Sequence, residues 1–244
     1  MRVIFLGTSH GYPEGNRRCS STLIEVNGSR YFIDMGADVS CDIINRGIPS
    51  ESVKAVFITH MHGDHTNGLI HFLDLATWAA PFKNADPEIF IPGSCDKFSI
   101  AISAWLETHG AHLKREYKFT EVNEGVVYED ENIKVTAFRT KHCEISYAYL
   151  VEAEGKCVLF SGDLSIKPSD DFPYAALDMP LEFAVLEVAH FPATEYIPIL
   201  NGRNNPKKVY FNHYSRRNIE SIGTAIKELD MPVILATDGL ETTI

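Results

Sequence analysis

Three imidazoles and a carboxylate fall within six residues in the segment Thr59-His60-Met61-His62-Gly63-Asp64-His65-Thr66-Asn67. The segment follows the apolar run Ala55-Val56-Phe57-Ile58, which reads as a buried strand. If the extended chain continues to His60, side chains two apart project to the same side, so His60 and His62 can address one common atom. Gly63 permits a tight turn that sends Asp64 and His65 in a second direction. Imidazole and carboxylate are the usual ligands of zinc and similar divalent ions. Two directions from one turn suggest two ions, and a water shared by two dications gives a hydroxide nucleophile near neutral pH. The bland alternative is a polar loop whose histidines happen to be neighbours.

The elements that must position this cluster begin with strands and then alternate. Val3–Leu6, Ser21–Val26 and Tyr31–Asp34 are short β-type runs, the last two joined by Asn27-Gly28, a strong hairpin signal. Val39–Asn45 has helical character and stops at Gly47, and Val53–Thr59 is the next strand. Leu69–Ala80 is apolar at helical spacing and is stopped by Pro81. Strand Ile89–Ile91 and helix Cys95–Thr108 follow, the latter ending near Gly110. Five β-type runs fill the middle: Tyr117–Glu121, Val126–Tyr128, Ile133–Arg139, Tyr147–Glu152 and Lys156–Ser161. The last third alternates again, with strands Phe183–Val188, Val209–Asn212 and Val233–Ala236 and helices at Glu195–Leu200 and Ile219–Leu229. Two strand-rich halves, each followed by helices, predict an α/β protein of two packed sheets with helices outside, a four-layer αβ/βα sandwich. No repeat, low-complexity tract or linker divides residues 1–244, so a single domain is expected.

Bulk properties narrow the function classes. The chain has 244 residues and 45% hydrophobic content, enough to bury a substantial core. Its net charge of −11 disfavours a broad nucleic-acid surface, which needs clustered Lys and Arg. Five cysteines, Cys19, Cys41, Cys95, Cys143 and Cys157, include no CxxC pair, so neither a disulfide framework nor a thiolate zinc site is suggested. No apolar run approaches a membrane span and the N-terminal run Val3–Leu6 is too short for a signal segment. A soluble, unprocessed protein of a reducing cytoplasm, with no membrane partner, is the expectation.

His60-Met61-His62-Gly63-Asp64-His65 resembles the HxHxDH signature of the metallo-β-lactamase superfamily, whose αβ/βα sandwich agrees with the strand and helix pattern. In that superfamily a third histidine, a bridging aspartate and a last histidine follow in order, each at a strand end. Here His142 in "TKHCEIS", Asp163 in "LFSGDLS" and His213 in "VYFNHYSRR" match that order, so the resemblance spans nearly the whole chain. It implies that His60, His62 and His142 hold one ion, that Asp64, His65 and His213 hold the other, and that Asp163 bridges them. Zinc is the favoured metal, with manganese and iron accepting the same donors. Two dications, less two carboxylates and one hydroxide, leave a single positive charge inside an acidic protein. Such a centre draws a small anionic substrate, while the surrounding surface repels a long polyanion.

The opening "FLGTSHGYPEGNRRCSSTLIE" is similar to that of ribonuclease Z and the related cyclic-phosphate phosphodiesterases, as are "HGDHTNGL" with "IFIPG" and the segment "NHYSRR". By the same resemblance Ser215 and Arg217 are substrate-phosphate residues, the Arg fork being suited to phosphate oxygens. Members of this branch are frequently dimers, which makes a homodimer the implied assembly. Ribonuclease Z carries a basic arm, in most bacterial members between the third histidine and the bridging aspartate, but only 20 residues (143–162) lie there in this chain. Its HEAT segment corresponds to Leu186-Glu187-Val188-Ala189-His190-Phe191, with the histidine displaced and Glu187 in its place. The four-cysteine zinc insertion of the phosphonate enzymes is absent from Gly7–Arg18. tRNA is therefore a disfavoured partner.

His190, after the strand Phe183–Val188, is the candidate proton donor to a leaving alkoxide, and His190 and Asp64 are taken as the catalytic pair. His10, in the first loop, is a candidate substrate contact. Asp34 and Asp238 are candidates to orient metal-bound histidines. His71, His109 and His112 have no such support and are expected to be solvated or capping. The resulting expectation is a dinuclear metallohydrolase acting on a small cyclic or nucleotide-like phosphoester. Alternatives are a thioester, lactone or lactam hydrolase, an armless tRNA 3′-end endonuclease, and a noncatalytic metal-binding sensor.

Overall fold

The computed structural model describes residues 1–113 and 117–244. The first half of the chain supplies β1 (Arg2–Gly7), β2 (Ser21–Val26), β3 (Ser29–Met35), α1 (Val39–Asn45), β4 (Val53–Phe57), α2 (Gly63–Trp78), β5 (Glu88–Ile91), α3 (Cys95–Glu107) and β6 (Phe119–Glu121). The second half supplies β7 (Gly125–Glu129), β8 (Lys134–Thr140), β9 (Ser146–Ala153), β10 (Lys156–Phe160), β11 (Leu181–Val188), α4 (Ile197–Leu200), β12 (Val209–Tyr214), α5 (Ile219–Glu228), β13 (Val233–Leu235) and β14 (Glu241–Thr243). One sheet has the order β14-β1-β2-β3-β4-β5-β6 and the other β13-β12-β11-β10-β9-β8-β7.

Each sheet is half antiparallel and half parallel. β1 to β3 form an antiparallel meander and β3 to β6 run parallel. β7 to β10 likewise form a meander, and β10 to β13 run parallel. In open α/β sheets ligands gather outside the carboxyl ends of parallel strands. The cluster His60–His65 follows β4, Asp163 follows β10, His190 follows β11 and His213 ends β12, so both sheets deliver their ligand-type residues to one rim.

The core between the sheets is aromatic at its centre, where Phe57 stacks on Phe90 at 4.9 Å and lies 5.8 Å from Tyr149. α1 and α2, with part of α3, cover the outer face of the first sheet through residues such as Leu69, Phe72 and Leu106. α4, α5 and short 3-10 turns cover the other through Tyr196, Leu200 and Ile222. The expected αβ/βα sandwich is therefore the observed fold, and the Asn27-Gly28 hairpin forms with both residues left-handed at φ 50° and 83°. Most element ends agree to within two residues, and two differences are larger. α2 begins at Gly63 rather than Leu69, because a first turn of ligand residues has no apolar periodicity to announce it. β14 was not expected, since Glu-Thr-Thr is polar, yet it closes the edge beside β1. Among the described residues no helix is long and apolar enough to cross a membrane.

The sheets are latched at the end away from the rim. Asp130 accepts from Tyr31 of the first sheet at 2.6 Å and Tyr128 of the second at 2.9 Å. It also accepts from the backbone N–H of Asn132 and Ile133, both at 2.8 Å. Burial pushes its carboxyl up, but the Tyr31 hydroxyl and these backbone donors outweigh it and hold the group below the usual carboxylate range. Asp130→Ala should cost about 2 kcal/mol in urea unfolding near neutral pH. The difference should shrink as pH falls below about 4, because a depressed carboxyl stabilises the fold only while ionised.

Candidate metal centre

Beyond β4 the chain bends at Thr59 and is extended again at His62, and the side chains of His60 and His62 converge. His60 Nε2 lies 3.0 Å from His62 Nδ1, and His142 Nε2 lies 3.3 Å from the same atom. Nitrogens this close have no favourable mode of mutual contact unless a proton or a cation lies among them. His142 comes from the turn between β8 and β9, so this first trio spans both sheets.

His62 caps α2, and Asp64 and His65 occupy its first turn. The helix start, rather than a tight turn at Gly63, separates the two directions, and its dipole favours the Asp64 anion. Asp64 Oδ2 lies 3.4 Å from His65 Nε2 and 3.8 Å from His213 Nε2, forming a second trio. Between the trios lies Asp163. Its Oδ2 is 3.2 Å from His213 Nε2, 3.5 Å from His65 Nε2, and 3.7 Å from both His60 Nε2 and His142 Nε2.

The donor chemistry fits two divalent ions. His65 Nε2 and Asp163 Oδ1 are buried atoms with no hydrogen-bond partner among the described residues, and a buried polar group without a partner costs stability. Burial would lower the His65 imidazole, but Asp34 and Asp163 hold it well above its ordinary value, whereas burial and the charge on His65 push His60 down to about 2. Burial would raise Asp163, yet His213 and His65 keep it well below the carboxylate range.

Several unusual backbone positions aim these groups. The β12 register shifts so that Glu187 pairs with Asn212 and Val188 with Tyr214, leaving His213 as a bulged residue at φ 46°. The β3 register shifts in the same way at Asp34, at φ 58°. Bulges re-aim side chains, and non-glycine residues in this region are strained positions that cluster at functional sites. Asp34 accepts from Thr59 N at 2.8 Å and meets His65 Nδ1 at 2.6 Å, which turns Nε2 of that ring toward the cluster. Gly36 has no room for a side chain, because a Cβ there would lie 1.6 Å from the Asp64 carbonyl oxygen.

Two buried acids that bear no ligand role organise the Asp163 side. Glu187 accepts from Leu164 N at 3.0 Å and Ala189 N at 2.7 Å, and meets His190 Nδ1 at 2.9 Å. Asp171 accepts from Lys141 N at 2.7 Å and Ser165 N at 3.0 Å, joining the His142 turn to the Asp163 loop. Sequence reasoning missed Asp171, whose segment carries no motif.

The remaining candidates divide. His190 Nε2 faces Asp163 Oδ2 at 3.8 Å, and the Glu187 contact raises its pKa despite the opposing effect of burial. Arg217 is exposed and donates to the Ala189 carbonyl at 2.5 Å, beside His190. Ser215 is buried, and its Oγ accepts from Arg217 N at 3.3 Å, so it caps the turn Arg216–Asn218. His10 lies near enough to His213 and Arg217 to feel their charge, and burial lowers its pKa. Asp238 corrects the expectation. It accepts from Thr8 N at 2.9 Å and Arg18 N at 2.7 Å and, among the described residues, shows no hydrogen bond or ion pair with a site histidine. His71 and His109 pair with Asp38 and Asp74 on the exposed helical side, and His112 is exposed, all three outside the ligand clusters.

The architecture is the metallo-β-lactamase fold. The chain belongs to the family of the anti-Pycsar protein Apyc1, whose model matches residues 1–175. It is also similar to a ribonuclease Z from Anoxybacillus flavithermus, 32% identical over 154 residues, which are 62% of this chain and 48% of that protein. The chain spans about half the length of the curated relatives it matches. Its fold is shared by the metallo-β-lactamase fold protein YhfI from Bacillus subtilis, with TM-score 0.77, 19% identity, and 99% and 98% of the two chains covered. Human tRNase Z, short form, gives TM-score 0.77 and 20% identity over 100% of this chain and 99% of that one.

Asp34→Ala should weaken zinc binding by about ten- to a hundred-fold, read by competition with a chromogenic chelator, because His65 loses the group that fixes its tautomer.

Proposed function

We propose that this chain is a dinuclear metal-dependent hydrolase acting on the phosphodiester of a small cyclic or nucleotide-like molecule. His60, His62 and His142 would hold one ion and Asp64, His65 and His213 the other, with Asp163 placed between the two sets. The observation that supports this most is the single Asp163 oxygen, within 3.2 to 3.8 Å of imidazole nitrogens from five histidines on both sheets. Two divalent ions bound there, zinc by the donor set, supply Lewis acidity and an ionised water at neutral pH.

The chain's own residues do the rest. Asp34 and Glu187 fix ring orientations from behind. Glu187 engages His190 at Nδ1, which leaves Nε2 facing the centre to give a proton to the departing alkoxide. Arg217 and His10 border the same side and would meet the non-reacting phosphate oxygens, with Ser215 holding the Arg217 backbone. A second reading, tRNA 3′-end cleavage, is favoured by the names of the curated relatives and weakens the expectation that tRNA is excluded. Against it stands the connection from His142 to Asp163, which consists of β9, the turn Glu154-Gly155 and β10, with no arm.

Hydrolysis of bis(p-nitrophenyl) phosphate with added Zn²⁺ or Mn²⁺ tests the reading. Turnover is expected with at least one ion. No turnover with either, alongside hydrolysis of a thioester or lactone, would overturn it, and cleavage of precursor tRNA without turnover of small diesters would establish the second reading. His190→Ala should lower kcat about a hundred-fold on 2′,3′-cyclic nucleotides, whose alkoxide leaving group needs a proton. The same change should cost only a few-fold on the p-nitrophenyl ester, whose leaving group does not.

A further inference from the structure

On the core side of the metal centre, between the two sheets, lies a cavity of about 30 Å³. Thr22 of β2, Phe160 of β10 and Val185 of β11 form parts of its wall, together with Ser161, Asn212 and His213. Asn212 and His213 are both buried, and the Asn212 Oδ1 and His213 Nδ1 atoms have no hydrogen-bond partner among the described residues. Neighbours along a regular strand face opposite ways, so the bulge at His213 accounts for both residues lining one space. The needs of the two atoms are complementary. His213 turns Nε2 toward Asp64 and Asp163, at 3.8 and 3.2 Å. A neutral ring that binds an ion through Nε2 carries its proton on Nδ1, so this buried atom is then a donor that lacks an acceptor. The Asn212 carbonyl oxygen is an acceptor that lacks a donor. Either group left alone costs stability that an apolar side chain in its place would not.

We infer that the cavity is a binding site for structural water that accepts from His213 Nδ1–H and donates to Asn212 Oδ1, which makes Asn212 a positioning residue for His213. A water needs roughly 10 to 15 Å³ of such space and at least two polar partners, so there is room here for one or two. A cation would face the Nδ1–H donor and an anion would face the Asn212 oxygen, whereas water suits both. Thr22 and Ser161 add hydroxyl residues to the same wall. The inference rests on the dinuclear metal reading and deepens it: His213 is oriented from the core side through solvent, as His65 is oriented directly by Asp34.

Asn212→Thr and Asn212→Val test it, because the two new side chains share a shape and differ only by a hydroxyl against a methyl. Stepwise zinc affinities of the wild type and both variants are read by competition with a chromogenic chelator, beside a crystal structure of the zinc-loaded wild type. The wild type should bind two zinc ions and show ordered water against Asn212 and His213. Asn212→Val should weaken one of the two ions about ten-fold and leave the other unchanged, while Asn212→Thr stays within about two-fold of the wild type for both. Equal losses in the two variants, no loss in either, or a dry cavity in the wild-type crystal would each overturn the assignment. The wild-type crystal decides the matter even if neither variant folds. With two ions still bound by the wild type, such a failure leaves the hydrolase reading standing, whereas a wild type that binds fewer than two ions overturns both.

Discussion

An ionised carboxylate is costly to bury unless hydrogen-bond donors or a positive charge compensate it, and Asp163 is a buried carboxylate with one oxygen that has no hydrogen-bond partner among the described residues. Its other oxygen is crowded by imidazoles, which are themselves costly to protonate in burial. The arrangement is balanced electrostatically only when cations occupy the space among the donors. That requirement accounts for much of the local structure. Two sheets, each switching from antiparallel to parallel, bring strand ends from distant parts of the chain to one rim, and the ligand-type residues sit on those ends.

Precision at the rim comes from irregularity rather than from regular strands. Bulges at Asp34 and His213 place two non-glycine residues in left-handed backbone, a cost of order 1 kcal/mol or more each that the surrounding ladders must absorb. Gly36 lets the chain after β3 lie against the Asp64 carbonyl, and Glu187 and Asp171 draw backbone N–H groups from separate loops onto buried anions. These contacts keep the donors pre-arranged, so little reorganisation is left for the moment of binding or reaction.

Much of this was legible in the chain itself, for identifiable reasons. The convergence of His60 and His62 was expected from their spacing of two, although the chain bends at Thr59 instead of staying extended, and the apolar runs before Asp163 and His213 mark the strands whose ends they occupy. The start of α2 was not legible, since ligand residues in a first helical turn carry no apolar period. Nor were the bulges, which depend on register between strands far apart in sequence. Asp34 was singled out, but only the fold shows that it serves His65, and Asp238, similar on paper, instead ties the first loop to Thr8 and Arg18. Asp171 has no sequence signal at all, because its importance lies in the two loops that it joins.

The account requires both trios to be filled at once around a common carboxylate. Elemental analysis of the purified protein after zinc saturation and removal of excess ion measures this most directly. Two zinc ions per chain are predicted, falling to one or fewer in Asp163→Ala. A stoichiometry of one or less in the wild type, unchanged by the substitution, would contradict the shared site on which the proposed chemistry depends.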